Sequence, residues 1–357
     1  MQSHTAIAMS GGIDSLVAAA MLKEQGLSLI ALHFLNGYEC GVSPLTLSGE
    51  VNGVAQARLA LQPLADQLDI PLFIIDLRTE FQKHVVDYFV TTYGLGKTPN
   101  PCLVCNPTIK FDILMQKAMA LGADRMATGH YARIDAAADG RRRLLQGVDP
   151  QKEQSYFLSR LTQHQLAATL LPLGGMTKAQ TRHFARQRGL VPATAQESQD
   201  VCFIKSGNYG DFLAQQPQFA PQAGTIEDLR GRVIGGHQGL HTFTIGQRRG
   251  INCPAAEPYY VVRLEPQRNC LIVGAKKDLL TSQCRVDRIN WIAPPPQAPL
   301  QVMTRVRYRH VAVPSRLIPL GADRAEILFE TPEAAVTPGQ GAVFYAGEEV
   351  LGGGWIQ

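Results

Sequence analysis

The chain of 357 residues is 45% hydrophobic and 18% charged, with a formal net charge of +4, which supplies enough apolar material for real cores and excludes a mainly disordered chain. Its apolar stretches fall short of the ~18–20 residues that span a bilayer, and Met1–His4 have neither the basic nor the apolar region of a signal peptide, so a cytoplasmic protein with no membrane partner is expected. Seven cysteines, an odd number in a chain long enough for two or three domains, read as reduced thiols and not as a disulfide scaffold.

Thr5–Met9 reads as a short apolar strand, followed by a Gly-rich turn and a helix over Leu16–Gln25 that stops at Gly26. Leu29–Phe34 is a second strand, Val54–Leu68 a helix, and Pro71–Leu77 (PLFIIDL) a third, buried strand. Phe81–Tyr93 and Phe111–Leu121 read as helices and Arg125–Thr128 as a further short strand. Short apolar strands alternating with helices predict an α/β fold, a doubly wound parallel sheet covered on both faces. Gln163–Leu171 and Lys178–Arg188 are predicted helical, the second opened by Thr177 and closed by Gly189. Gln216–Gly224 is rich in Pro and Gln and reads as a linker. Beyond it the helical period disappears. Tyr259–Leu264 and Cys270–Val273 flank a turn with Pro266 and Asn269, and Val302–Tyr308, Arg324–Glu330 and Ala342–Tyr345 continue as short strands. This is the pattern of small β-barrels, with Ile292–Pro299 separating two β elements.

The strongest local signal is Ser10-Gly-Gly-Ile-Asp-Ser15, between a strand and a helix, where successive backbone N–H groups and a helix N-terminus can bind phosphate. The Gly-Lys-Ser/Thr ending of a Walker A loop is absent. Instead the run resembles the pyrophosphate (PP) loop of enzymes that cleave ATP between the α and β phosphates and adenylate a substrate, which implies that Asp14 helps hold Mg²⁺. Cys102-Leu-Val-Cys105, inside Asn100–Asn106, can be a redox couple, half of a zinc site or part of an iron–sulfur site. Cys202, taken alone, reads as a small buried hydrophobe, and Cys40, Cys253, Cys270 and Cys284 as packing residues. Arg305, Arg307 and Arg309 alternate along a predicted strand and so share one face. Lys178, Arg182, Arg186 and Arg188 form a basic helical stretch, and Arg141–Arg143 add three more charges. All three features are candidates for RNA contact.

Further runs follow in a fixed order. After the PP-loop come Thr98–Asn106, Ala127-Thr-Gly-His-Tyr-Ala132, Asp149 through Gln154–Leu158, Cys202-Phe-Ile204, His237-Gln-Gly239, Thr244–Gly250, Arg307–Arg309, and Val336–Gln340 with Leu351–Gly354. As an ordered set they resemble the tRNA-specific 2-thiouridylase family over essentially the whole chain. The resemblance implies a PP-loop adenylation domain with a tRNA-contacting helical part over 1–205, a central β-rich module over 206–282 and a C-terminal β-barrel over 283–357 that helps grip the anticodon arm of tRNA. It implies ATP-dependent 2-thiolation of the wobble uridine: adenylation of the C2 oxygen, then sulfur transfer.

By the same resemblance, Ala8, Met9, Ser10, Gly11, Gly12, Ile13, Asp14 and Ser15 bind the ATP phosphates, while Phe34 and Gly129 contact the nucleoside part. Cys105 is the nucleophile and Cys202 carries the persulfide, the two ending as a disulfide that a reductant resets. Asn100, Pro101 and Cys102 lie against the target base and His130 shapes the pocket. Lys152, Glu153, Gln154, Arg307, Tyr308 and Gln340 contact tRNA. A sulfur-donor protein, a persulfide relay or a cysteine desulfurase, is the second partner. One departure stands out: many members carry Asp where this chain has Cys102. Cys102, Cys105 and Cys202 thus make a three-cysteine set like that with which related tRNA-thiolating enzymes hold a [4Fe–4S] cluster. Both sulfur routes stay open at this point. The phosphate loop alone would also serve a small-molecule adenylating ligase, a reading that leaves the cysteines and the β-rich half without a task.

Overall fold

The computed structural model describes residues 4–39, 50–194, 201–204, 209–217, 219–254 and 256–357; Cys40, read above as a packing residue, lies outside them. The chain divides into two compact units, one built from 1–85, 102–203 and 347–351, the other from 86–101, 204–346 and 352–357.

The first unit opens with β1 (His4–Ala8), α1 (Ile13–Glu24), β2 (Leu29–Leu35), α2 (Glu50–Gln67), β3 (Leu72–Asp76) and α3 (Arg78–Phe81). A π-helical turn over Gln82–Val86 leads into α4 (Asp87–Gly94), which belongs to the second unit. The first unit resumes with α5 (Cys102–Cys105), a π-helical stretch over Asn106–Ile113 and α6 (Leu114–Ala120), then β4 (Ala123–Ala127). A hairpin of β5 (Ala132–Ala136) and β6 (Arg142–Gln146) follows, then α7 (Ser155–Leu158), α8 (Gln163–Ala167), β7 (Thr169–Leu170) and α9 (Lys178–Gln187). The sheet order is β3-β2-β1-β4-β7, all parallel, so the expected doubly wound α/β fold is present. The chain first runs outward from β1 to β3 and then returns to the other side of β1, and in such sheets ligands bind at the carboxyl ends where the order reverses. The PP-loop leaves the end of β1. Seven residues of α1, from Ser15 to Ala20 plus Leu22, are buried. All but Ser15 share a core with Leu61, Leu64 and Ala65 of α2 and Ala185 of α9, which is why the helix reads as apolar on nearly every side.

The predicted helix over Gln163–Leu171 is shorter than expected. It ends at Ala167, and Thr169–Leu170 pair with Met126 and Ala127 as the edge strand β7. Leu171 precedes Pro172, and the proline ring disfavours helical backbone in the residue before it.

The second unit holds α10 (Tyr209–Ala214) and a four-stranded sheet of β8 (Gly224–Asp228), β9 (Val233–His237), β10 (Tyr260–Glu265) and β11 (Cys270–Gly274), in the order β10-β11-β8-β9. Ile226, Phe243, Val261, Leu271 and Val273 form its core. The predicted turn between β10 and β11 is a 3₁₀ turn over Pro266–Arg268 closed by Asn269 in the left-handed region, φ +47°. Six strands then form a barrel: β12 (Leu280–Trp291), β13 (Leu300–Arg305), β14 (Val313–Pro319), β15 (Ala325–Ala334), β16 (Gly341–Ala346) and β17 (Glu349–Ile356). They run in the order β12-β15-β14-β13-β16-β17, and pairing of Val286 with Ile356 and of Trp291 with Gly352 closes the circle. Alternate residues point inward, as Ala325, Ile327 and Phe329 do on β15. β17 is shared: its Glu349 and Val350 fall in the first unit and pair there with Leu145 and Leu144 of β6.

The strand predicted over Val302–Tyr308 stops at Arg305. Arg307–Arg309 lie in a turn closed by the His310 N–H donating to the Arg307 carbonyl (3.3 Å), with Arg309 at φ +63°. The pleat ends before these residues, so Arg305, Arg307 and Arg309 do not form the one-faced row that alternation implied. Among the described residues no helix is long and apolar enough to cross a membrane.

Candidate active site

Gly12 is the N-cap of α1 and, having no side chain, leaves the opening of that helix without a side-chain cap. Gly11 before it takes φ +87°, a backbone shape that side chains rarely tolerate. Two hydroxyls fold the loop: Ser15 Oγ accepts from the Ser10 N–H (3.2 Å), donates to the Gly12 carbonyl (3.1 Å) and sits 3.3 Å from Ser10 Oγ. Gly129, just beyond β4, packs against the start of α1; a Cβ there would come within 2.8 Å of Asp14 C and Ser15 N. The sequence motif and Gly129 are therefore brought together. Phe34, half-buried near the end of β2, faces the Phe81 ring at 6.4 Å.

Asp14 does not stand open. Lys178, the first residue of α9, places its ammonium 2.7 Å from both carboxylate oxygens, and the Tyr131 hydroxyl donates to Oδ1 at 2.8 Å. The Lys178 side chain is only 8% exposed. Burial and the neighbouring Asp14 push the Tyr131 phenol far above its ordinary range, so it stays a donor. Tyr131 is pinned in turn by Gln154, whose Oε1 accepts the Tyr131 N–H (3.0 Å) and whose own N–H donates to the Tyr131 carbonyl (2.9 Å). α9 is set by a capping box, Thr177 Oγ1 with the Gln180 N–H and Gln180 Oε1 with the Thr177 N–H, while Asp149 Oδ2 accepts the Lys178 N–H (2.8 Å).

Lys178 was grouped above with an RNA-facing stretch; its side chain instead turns inward onto the PP-loop. A local signal existed, because lysine at a first helical position opposes the macrodipole and sits there for another reason. Arg188 of the same stretch pairs with Glu24, and Arg141 and Arg143 pair with Glu349 and Asp135, so these charges are largely neutralised locally. Arg182 and Arg186 are exposed.

A second constellation gathers on the helical run from α5 to α6. Cys102 is half-buried and Cys105 buried, one helical turn apart, and Cys202 is exposed; none of the three is in a disulfide. They interact electrostatically with one another and with Lys110. Burial pushes the Cys102 thiol up to about 11 and Cys105 to about 12, with the Lys110 ammonium pulling the other way. His130 stacks obliquely on Phe111 at 6.0 Å, and Thr128 Oγ1 lies 2.7 Å from its Nδ1. Burial and Lys110 hold its imidazole well below the usual range, hence neutral at pH 7.

Metal fit differs between the two sites. Among the described residues no three His, Cys, Asp or Glu side chains converge to hold a metal ion. Cys102, Cys105 and Cys202 are thus not drawn together as the ligand set that a [4Fe–4S] cluster takes. Asp14 offers one carboxylate, which suits a magnesium ion carried in on nucleotide phosphates and not one caged by protein.

Glu153 is buried, accepting the Ser155 N–H, and Lys152 is half-buried. Asn100 and Pro101, in the second unit, are buried, and the Asn100 N–H donates to the Tyr88 hydroxyl (3.3 Å). Gln340 donates from Nε2 to the Thr98 and Pro99 carbonyls at 3.1 and 3.0 Å, so it secures the approach to Asn100. Arg307 and Tyr308 occupy the barrel turn described above, half-buried.

Comparison with known proteins gives the site its context. Residues 3–206 match the family described as the tRNA methyl transferase HUP domain, 210–275 the tRNA methyl transferase PRC-barrel domain, and 281–356 the aminomethyltransferase beta-barrel domain. A tRNA-specific 2-thiouridylase MnmA from Desulfosudis oleivorans is 52% identical over 352 residues, covering 99% of this chain and 94% of that protein. One from Geotalea uraniireducens is 44% identical, covering 100% of this chain and 95% of its own. With similarity at this level along its whole length, the chain belongs to the tRNA-specific 2-thiouridylase family.

Proposed function

We propose that this protein uses ATP to replace the C2 oxygen of the wobble uridine of tRNA with sulfur. The observation that carries the reading is the presence, in one α/β unit, of a PP-loop at the end of β1 and of the Cys102, Cys105 and Cys202 thiols in electrostatic reach of each other. Uridine O2 attacks the α-phosphate of ATP bound at Ala8–Ser15; the O–P bond forms, the α–β bond breaks and pyrophosphate leaves. Magnesium, when bound with the nucleotide, offsets phosphate charge. The base must leave the anticodon stack to be reached, and the neutral His130 beside Phe111 offers it an uncharged wall.

A donor protein charges Cys202, the exposed thiol, with a persulfide. Its outer sulfur bonds to C2 while the C2–O bond breaks and AMP departs. Cys105 then attacks Cys202 Sγ, the S–S bond breaks with its electron pair returning to the sulfur on C2, and a Cys105–Cys202 disulfide remains for an external dithiol to reduce. Burial keeps Cys105 protonated before substrate arrives, which guards it against premature oxidation.

The test is thiolation of substrate tRNA with ATP and a persulfide donor, read as 2-thiouridine by nucleoside mass spectrometry. Cys105→Ala and Cys202→Ala are each expected to lower it by roughly 10³-fold or more, as loss of a covalent nucleophile does, while pyrophosphate release persists. Unimpaired thiolation by Cys105→Ala overturns the role given to that residue.

A further inference from the structure

We propose that Lys178 is the phosphate-binding cation of the adenylation site: paired with Asp14 in the nucleotide-free protein, its ammonium engages the β and γ phosphates of ATP and stabilises the pyrophosphate that leaves. The inference rests on the adenylation reading above and adds to it a residue outside the PP-loop. Three observations carry it. The Lys178 ammonium lies 2.7 Å from both oxygens of Asp14, the acidic residue of the loop, so it is already at the place where phosphates arrive. The side chain is 8% exposed, and a lysine taken out of water at that cost is retained where its charge has a partner or a task. Its position is over-determined, by the Thr177–Gln180 capping box, by Asp149 on its own N–H, and by Tyr131, which lies 2.8 Å from Asp14 and 3.0 Å from Thr181 one turn along α9.

The chemistry requires such a charge. A loop whose own ionised group is a carboxylate repels a triphosphate; neutralising Asp14 removes that repulsion. As the bond between Pα and the bridging oxygen breaks, its electron pair moves onto pyrophosphate, and a preorganised cation stabilises the developing charge more than the ground state. Tyr131 keeps a hydrogen bond on Asp14 when the ammonium turns to phosphate, so the carboxylate is not left bare.

The experiment compares the full-length protein with Lys178→Met and Lys178→Arg, measuring binding of inorganic pyrophosphate, ATP and AMP by calorimetry, and pyrophosphate release in a single turnover with substrate tRNA. Lys178→Met is expected to bind AMP as the wild type does, to bind pyrophosphate at least roughly tenfold more weakly, as loss of a charge-assisted hydrogen bond implies, and to release pyrophosphate about 100-fold more slowly, the effect of removing one transition-state donor. Lys178→Arg, which keeps the charge and covers the case in which the neutral variant does not fold, is expected to bind pyrophosphate more tightly than Lys178→Met and more weakly than wild type, or, where Lys178→Met does not fold, more weakly than wild type. Unchanged pyrophosphate affinity in both variants overturns the proposal, as does equal loss of AMP and pyrophosphate, which would make Lys178 a purely structural tie between α9 and the loop. If wild type binds neither ATP nor pyrophosphate, the adenylation reading fails first and the proposal falls with it.

Discussion

At the scale of single residues, the thiols set a pH dependence. Burial raises Cys102 to about 11, Cys105 to about 12 and Cys284, in β12, to about 12, against 9.0 for an ordinary thiol. A thiol is neutral when protonated, and these hold their protons more tightly in the folded chain than in the unfolded one. Their contribution to stability is therefore complete below pH 9 and is lost as pH rises from 9 towards 12, with a slope of up to about 1.4 kcal/mol per pH unit for each group. Cys284 belongs to the second unit and Cys102 and Cys105 to the first, so Cys284→Ala isolates one such contribution: its melting temperature, measured from pH 7 to 10.5, should fall less steeply above pH 9 than that of the wild type. Parallel curves would mean that Cys284 titrates like an exposed thiol. In the same way, alkylation of Cys105 by iodoacetamide should rise through pH 9 without a plateau. Cys102 and Cys105 were legible in the sequence as a Cys-x-x-Cys pair and Cys202 only through family resemblance, since a lone cysteine carries no spacing signal.

At the scale of elements, the PP-loop works because three elements meet its backbone: β1 feeds it, α1 leaves it, and the chain after β4 presses on it at Gly129. A methyl group at Gly129 would sit 2.8 Å from Asp14 C and Ser15 N, backbone atoms that cannot swing aside. Gly129→Ala should cost about 1–3 kcal/mol of stability, as overpacking does, and weaken ATP binding while leaving the Cys105 alkylation rate unchanged; calorimetry and mass spectrometry read the two effects. Wild-type ATP affinity in that variant would show that the contact is not felt at the loop. The loop and its flanking strand and helix were readable because a short apolar run, a glycine turn and a stretch of helix-favouring residues follow one another directly between Thr5 and Gln25. Lys178 and Tyr131 were not, since their partnership with Asp14 spans 164 and 117 positions of sequence and no local pattern encodes it. The hairpin β5–β6 escaped notice for a different reason: its arginines look like a basic run until Asp135 and Glu349 are seen beside them.

At the scale of the whole molecule, each unit is assembled from three separate stretches of chain, with 86–101 crossing out of the α/β unit and 102–203 returning to it. Sequence composition marked the change from α/β to all-β but could not show this interleaving, because contact partners far apart in sequence leave no compositional trace. Residues 347–357 matter to both units: 347–351 give β6 its partner and Arg141 its Glu349, and 352–356 close the barrel against β12. Deleting 347–357 should abolish cooperative thermal unfolding, followed by near-ultraviolet circular dichroism; retention of a sharp transition would mean that one unit stands without its last strand.

That shared strand also bears on synthesis. A polypeptide emerging from the ribosome can form α1 and the parallel strands early, yet β6 keeps an unpaired edge and the barrel stays open until residue 356 has been added. A message broken anywhere upstream of the codons for β17 would yield a product in which neither unit has all its strands.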